Sequence, residues 1–152
     1  MEPKASEGSS LSTSVQQTDS RGSRPPKGVL KPCGYIGTGG IPCRFKASPG
    51  HRYCFWHDAD APKNGPLVGP LLVRLAHENA NMEGFQLAGI DLECRELPGA
   101  QLVKANLEGA HLFRVNLDNA HLFSTNLKNA TLFKASLADA NMRSANLSGT
   151  NL

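Results

Sequence analysis

The sequence predicts a mainly β chain in which a small cysteine-bearing module precedes a solenoid of stacked square coils. Three observations carry that prediction. A leucine or methionine occupies every fifth residue from Met82 to Leu152, without exception. Three cysteines and two histidines crowd into the stretch from Cys33 to His57. The two halves of the chain also differ in charge: residues 1–79 hold ten Lys/Arg against six Asp/Glu, and residues 80–152 hold six against seven. A length of 152 residues accommodates one ordinary domain or two small ones, and such unlike ends favour two.

The five-residue beat excludes the common secondary structures. Thirteen Leu with Met82 and Met142 fill the series, and two residues before each, from position 100 onward, stand eight Ala with Val115, Thr125 and Thr150. A step of five turns an α-helix by about 140°, so the leucines would spiral over every side. In a flat strand an odd step sends successive leucines to opposite faces. A chain that turns a corner every five residues keeps all of them inside. Four corners close a coil of twenty residues, and coils roughly 4.8 Å apart can pair their backbones as neighbouring strands do. Each side then points two side chains inward, and a narrow interior accepts one large group and one small one.

Residues 80–152 make about 3.6 such coils, near the minimum for repeat architectures. The first coil departs from the rule. Phe85, Ile90 and Arg95 occupy the small slot, and Pro98 follows Leu97. Arg95 cannot sit unpaired in a dry core, so its corner is expected to be loosened or to belong to the join with the N-terminal part.

The units "ANLEG", "VNLDN", "TNLKN", "ANMRS" and "ANLSG" resemble the A(D/N)LXX unit of the pentapeptide-repeat family, over about half the chain. The resemblance implies a right-handed quadrilateral β-helix, a scaffold that does not itself predict chemistry. Some members of that family mimic duplex DNA and bind topoisomerases. Mimicry needs a strongly negative rod, which six Lys/Arg against seven Asp/Glu in fewer than four coils do not make.

Residues twenty apart should stack on one face. Asn106, Asn126 and Asn146 then form a column suited to amide hydrogen bonds between coils. Phe113 and Phe133 form another, with Val103 and Phe123 on the opposite face. Phe113, Phe123 and Phe133 either shield the ladder or offer an interface to a protein partner or a second copy. His111 and His121 fall on opposite sides and cannot share a metal; with Cys94 they read as surface residues. Both solenoid ends expose apolar cross-section, so a homodimer through the C-terminal end or the Phe-bearing faces is an expectation.

Cys33, Cys43, Cys54 and His57 are spaced C-x9-C-x10-C-x2-H. Three thiolates and an imidazole make a closed tetrahedral set suited to a structural Zn²⁺, and the C-x2-H pair supplies two ligands from one turn. So small a segment has hardly any core, and metal binding would supply its folding energy. His51 is an alternative fourth ligand, although the spacing favours His57. No carboxylate lies between Lys31 and His57, which argues against a catalytic zinc. The spacing is similar to the three-Cys, one-His signature of the plant WRC domain, a likeness of about 25 residues that implies DNA binding. Lys31, Arg44, Lys46 and Arg52, with Trp56 beside the ligands, are the candidate nucleic-acid contacts. The favoured reading is that the aromatics are the module's own small core and the charges keep it soluble, because four cations make a weak electrostatic footprint.

The remaining segments complete the division. Residues 1–29 are rich in Ser, Gln, Gly and Pro and predict a disordered tail. The module covers 30–58, a Pro/Gly linker 59–70, a short capping helix 71–79 and the solenoid 80–152. The start lacks the apolar core of a secretory signal and no apolar run approaches a bilayer span, so a cytoplasmic protein with no membrane contact is expected. No nucleophile–base pair, paired carboxylates or phosphate-binding loop is present, so the expectation is a non-catalytic interaction or scaffold protein. Nucleic-acid binding through the zinc module is the alternative.

Overall fold

The computed structural model describes residues 30–152; the expected disordered tail, 1–29, lies outside them. From Asn81 the chain winds as a solenoid. Eleven parallel bridges, from Asn81–Gln101 to Thr131–Asn151, each join residues twenty apart. They fall into four columns, 81–101–121–141, 86–106–126–146, 91–111–131–151 and 96–116–136, one for each side of the coil. The bridges are isolated single-residue pairings, with a corner between each and the next.

The backbone hydrogen bonds explain why five residues make one side. In the unit centred on Leu107, the Leu107 N–H donates to Asn126 in the next coil and the Gly109 N–H to Lys128. The Ala110 N–H turns back to the Leu107 carbonyl, and the Asn106 N–H donates to Phe85 in the preceding coil. The fifth donor, the Glu108 N–H, is taken by the Asn106 side-chain oxygen. Every N–H of the unit is thereby satisfied, which gives the repeated Asn a structural task. Its amide also reaches along the column, from Asn126 to Asn106 at 3.1 Å and from Asn146 to Asn126 at 3.3 Å.

Each corner is a turn closed by an N–H to the carbonyl three residues before, with positive φ at its third residue, as a type II turn requires. Every fifth residue from Asn79 to Gly149 has positive φ, including Lys104, Arg114 and Lys134. Pro98 does not break this rule. It fills the second position of the Leu97–Ala100 corner, ahead of Gly99 at φ 67°, where proline's fixed φ is favoured.

Inside, Leu102, Leu107, Leu112 and Leu117 alternate with Ala105, Ala110, Val115 and Ala120, all essentially inaccessible to solvent. Thr125 takes a small slot by donating its hydroxyl to the Leu102 carbonyl at 2.8 Å. Arg95 has left the interior and is exposed beside Gly69, yet its corner keeps both backbone bonds, Arg95 N–H to Leu92 and Asn116 N–H to Arg95. The corner is therefore not loosened; it belongs to the join with the preceding segment. In the last coil Leu137, Met142 and Leu147 are half-buried and Leu152 is exposed.

The solenoid's front end is covered. A helix, α1, runs Val68–His77, three residues earlier at its start than the periodicity suggested and two at its end. Pro70 lies in its first turn, where the missing N–H is harmless. Gly69, Leu72, Leu75 and Ala76 face the first coil. The helix stops with Asn79 at φ 51°, the Ala80 N–H returning to Leu75 and the Asn79 N–H to Ala76. This C-terminal cap is also the first of the corner residues. The linker is tied down as well: Lys63 is buried, and its ammonium donates to the Asp58 and Ala61 carbonyls over the Phe55 ring. Among the described residues no helix is long and apolar enough to cross a membrane.

Candidate metal centre

Residues 31–47 form a short hairpin closed by the 3-10 turn Thr38–Gly40, with antiparallel bridges Pro32–Lys46 and Ile36–Pro42. Gly39 and Gly40 have φ of 75° and 76°, which glycine adopts freely. The hairpin places Cys33 and Cys43 on its two strands, bonded through Cys33 N–H to Phe45 and Cys43 N–H to Tyr35. A turn bonded from the His57 and Asp58 N–H groups to the Cys54 carbonyl brings Cys54 and His57 against them.

The four donor atoms all lie within 4.8 Å of one another. His57 Nδ1 is 3.3 Å from Cys54 Sγ and 3.6 Å from Cys33 Sγ, and Cys43 Sγ is 3.9 Å from Cys54 Sγ. A tetrahedron with metal–sulfur arms of about 2.3 Å and a metal–nitrogen arm of about 2.0 Å has edges of roughly 3.5–3.8 Å. These residues can therefore hold a metal ion with little movement. His51 is not among them. Its exposed ring pairs with Asp58 at 2.7 Å.

Surrounding groups orient the donors. His57 Nε2 donates to the Glu83 carbonyl at 2.8 Å, leaving the Nδ1 lone pair free for a metal. The Tyr35 ring stacks on the imidazole at 3.9 Å. The Cys54 N–H donates to Cys33 Sγ and the Phe45 N–H to Cys43 Sγ. Burial pushes the Cys43 thiol up to about 12 and raises Cys54, so without a metal both keep their protons at neutral pH. Burial would raise Cys33 too, but the Cys54 and Tyr35 amides bring it below its ordinary value. Burial lowers His57, which is neutral.

Sequence reasoning found the four donors and missed what holds them. Glu83 is buried in the first coil. Its carboxylate accepts from the Thr38 N–H at 2.9 Å, from the Thr38 hydroxyl at 2.5 Å and from Lys104, whose ammonium is 3.4 Å away. Burial alone would raise this carboxyl, but the Thr38 donors and Lys104 hold it below its usual range. Gly84, at φ 71°, leaves room for Tyr35, whose hydroxyl would collide with any β-carbon there. The available signal was that Glu83, Gly84 and Phe85 lie in the coil that breaks the repeat pattern.

The candidate nucleic-acid contacts divide. Lys31, Lys46, Arg44 and Arg52 are exposed, although Arg44 approaches Glu78 at 3.9 Å. Trp56 is buried, with its ring stacked on Phe85 at 5.0 Å and 4°, and is closed to a base. On the solenoid, Phe113 and Phe133 stack at 6.1 Å, flanked by Arg114 and Lys134 over their rings. Phe123 lies on the opposite side, partly exposed.

Comparison with known proteins agrees with the repeat. The pentapeptide-repeats family model matches residues 97–129 and 120–152, with eight copies. No curated protein sequence matches the chain. Among solved structures, a pentapeptide-repeat protein of Nostoc PCC 7120 is 31% identical, over 53% of this chain and 72% of its own, with a TM-score of 0.44. Rfr23 of the cyanobacterium Cyanothece 51142 is 25% identical over 48% of this chain and 60% of its own, with a TM-score of 0.31. HetL of Nostoc, a protein involved in heterocyst differentiation regulation, is 30% identical over 45% of this chain and 38% of its own, with a TM-score of 0.23. The family match begins at Leu97, where the inward slots revert to Ala, and leaves the first coil and the metal module outside it. Through its eight matched repeats the chain belongs to the pentapeptide-repeat proteins.

Proposed function

We propose that this is a non-catalytic interaction protein: a right-handed quadrilateral β-helix that presents flat faces to a protein partner, fronted by a module built on a structural zinc ion. The observation that carries the reading is the closed donor set. Cys33, Cys43, Cys54 and His57 place their donor atoms within 4.8 Å of one another and would fill all four positions of a tetrahedral ion, leaving none for substrate or reactive water. Three thiolates with one imidazole suit zinc among the biological metals. The outer surface offers a regular platform, and its stacked Phe113 and Phe133 form the apolar strip best suited to a protein contact.

The test has two arms. Purified full-length protein should carry close to one zinc per chain, and less than about a tenth of that would remove the metal reading. A chemically crosslinked partner retained by the unsubstituted chain should be lost with Phe113→Glu and Phe133→Glu together. Equal retention would make that strip structural.

Nucleic-acid binding is a second reading, supported by the exposure of Lys31, Arg44, Lys46 and Arg52 on the module. Four cations give a salt slope no steeper than about −3.6 on duplex DNA. Absence of binding at low salt would end this reading.

A further inference from the structure

We infer that metal loading and closure of the solenoid's first coil are one folding event, with Glu83 as the positioning residue that joins them. The inference rests on the metal reading above and goes beyond it. The module is joined to the coil by the ladder itself. In later coils the Asn106, Asn126 and Asn146 N–H groups donate to Phe85, Ala105 and Thr125 of the preceding coil. The first coil has no coil before it, and its Gln86 N–H donates instead to the Trp56 carbonyl at 2.7 Å. Trp56 lies between the ligands Cys54 and His57, so the metal-binding turn occupies the place of a missing coil.

Glu83 grips both halves of the ligand set. Its carbonyl accepts from His57 Nε2, and its carboxylate accepts from Thr38 at the tip of the hairpin that bears Cys33 and Cys43. Lys104 in the second coil donates to the Thr38 hydroxyl at 2.9 Å and pairs with the same carboxylate, so the clamp spans two coils and the module. The apolar joint lies beside it: Phe85 is fully buried between Trp56, the His57 edge and Phe45. Phe85 and Ile90 are large where later coils hold Ala or Thr because no coil stacks in front of them. Without a metal, three thiols and an imidazole have nothing to converge on. The turn that presents the Trp56 carbonyl then loses its anchor, and the solenoid's apolar front opens to solvent.

The experiment uses the full chain, Co²⁺ as a spectroscopic probe and amide hydrogen exchange. In metal-loaded protein the Gln86 amide should be protected. Removing the metal with a chelator should speed its exchange about tenfold or more, while the Asn126 amide, deep in the ladder, stays protected. Glu83→Ala should weaken Co²⁺ binding about ten- to a hundredfold while keeping the tetrahedral absorption spectrum, because every ligand remains. Glu108→Ala, the matching position one coil and a corner further on, paired with Lys128 and clear of the module, should leave affinity within roughly twofold. Binding of Co²⁺ with a Gln86 amide indifferent to the chelator overturns the inference and leaves the metal reading standing. So does equal affinity in the Glu83 and Glu108 variants. Absence of Co²⁺ binding to the unsubstituted chain overturns both. The exchange arm needs no variant, so a Glu83→Ala protein that fails to fold does not shield the claim.

Discussion

Phe85→Ala is the most telling single perturbation, because Phe85 fills a slot that later coils give to Ala or Thr and packs against Phe45, Trp56 and His57 of the module. Its side chain is fully buried, with its ring stacked on Trp56 at 5.0 Å and meeting His57 edge-on at 5.2 Å. Truncating a buried Phe costs about 3–5 kcal/mol, a figure that includes the cavity left behind. The joint has aromatic rings on several sides and cannot collapse without moving the Cys54–His57 turn, so about 4 kcal/mol is expected. With a guanidinium dependence of about 4 kcal/mol per molar, the unfolding midpoint should fall by about 1 M. Trp56 is the sole tryptophan of the chain, and its fluorescence reports on this joint directly. Phe133→Ala is the control. That ring is 45% exposed on the outer column, and its loss should cost under about 1 kcal/mol. A midpoint for Phe85→Ala within about 0.3 M of the unsubstituted chain would refute the packed joint and the capping role drawn from it.

Other expectations follow from the same geometry. Cys43 and Cys54 keep their protons at neutral pH without a metal, so metal binding should release at least two protons and strengthen as pH rises through neutrality. Calorimetric titration in two buffers of different ionisation heat measures this, and zero proton release would contradict it. Ala120→Leu forces a second large group into one side of the coil and should destabilise by about 1–3 kcal/mol in chemical denaturation. A neutral result would mean the interior is not narrow. Asn126→Ala removes the acceptor for the Lys128 N–H and two links of the amide column, and should cost about 1–2 kcal/mol by chemical denaturation, against under about 0.5 for the exposed Arg143→Ala, which sets the surface baseline.

The ladder was readable because it repeats. Every leucine in the five-residue series obeys one rule, and the Asn column follows from the same count of twenty. The metal donors were readable because C-x2-H presents two ligands from one turn and the hairpin glycines permit the rest. What the sequence hid depends on contacts between the two parts. Trp56 reads either as a base-stacking contact or as part of the module's small core, and its burial against Phe85 of the first coil decides for the core. Glu83 looked like one more polar corner residue, and its burial follows only from where the hairpin tip lands. Arg95 looked like a defect, yet its side chain leaves the coil beside α1 while the backbone continues undisturbed. Positive φ at Lys104, Arg114 and Lys134 runs against local preference by roughly 1–2 kcal/mol each, and the closed ladder imposes it.

The stacking of coils in a twenty-residue register is tested most directly by nuclear magnetic resonance couplings across backbone hydrogen bonds. Coupling should appear from the Leu112 amide nitrogen to the Thr131 carbonyl carbon, and from Leu122 to Asn141, where the N–H···O distances are 2.9 Å. Amides of this region coupled instead to carbonyls four residues before them, as in a helix, would contradict the register, the square coil and the cap that completes it.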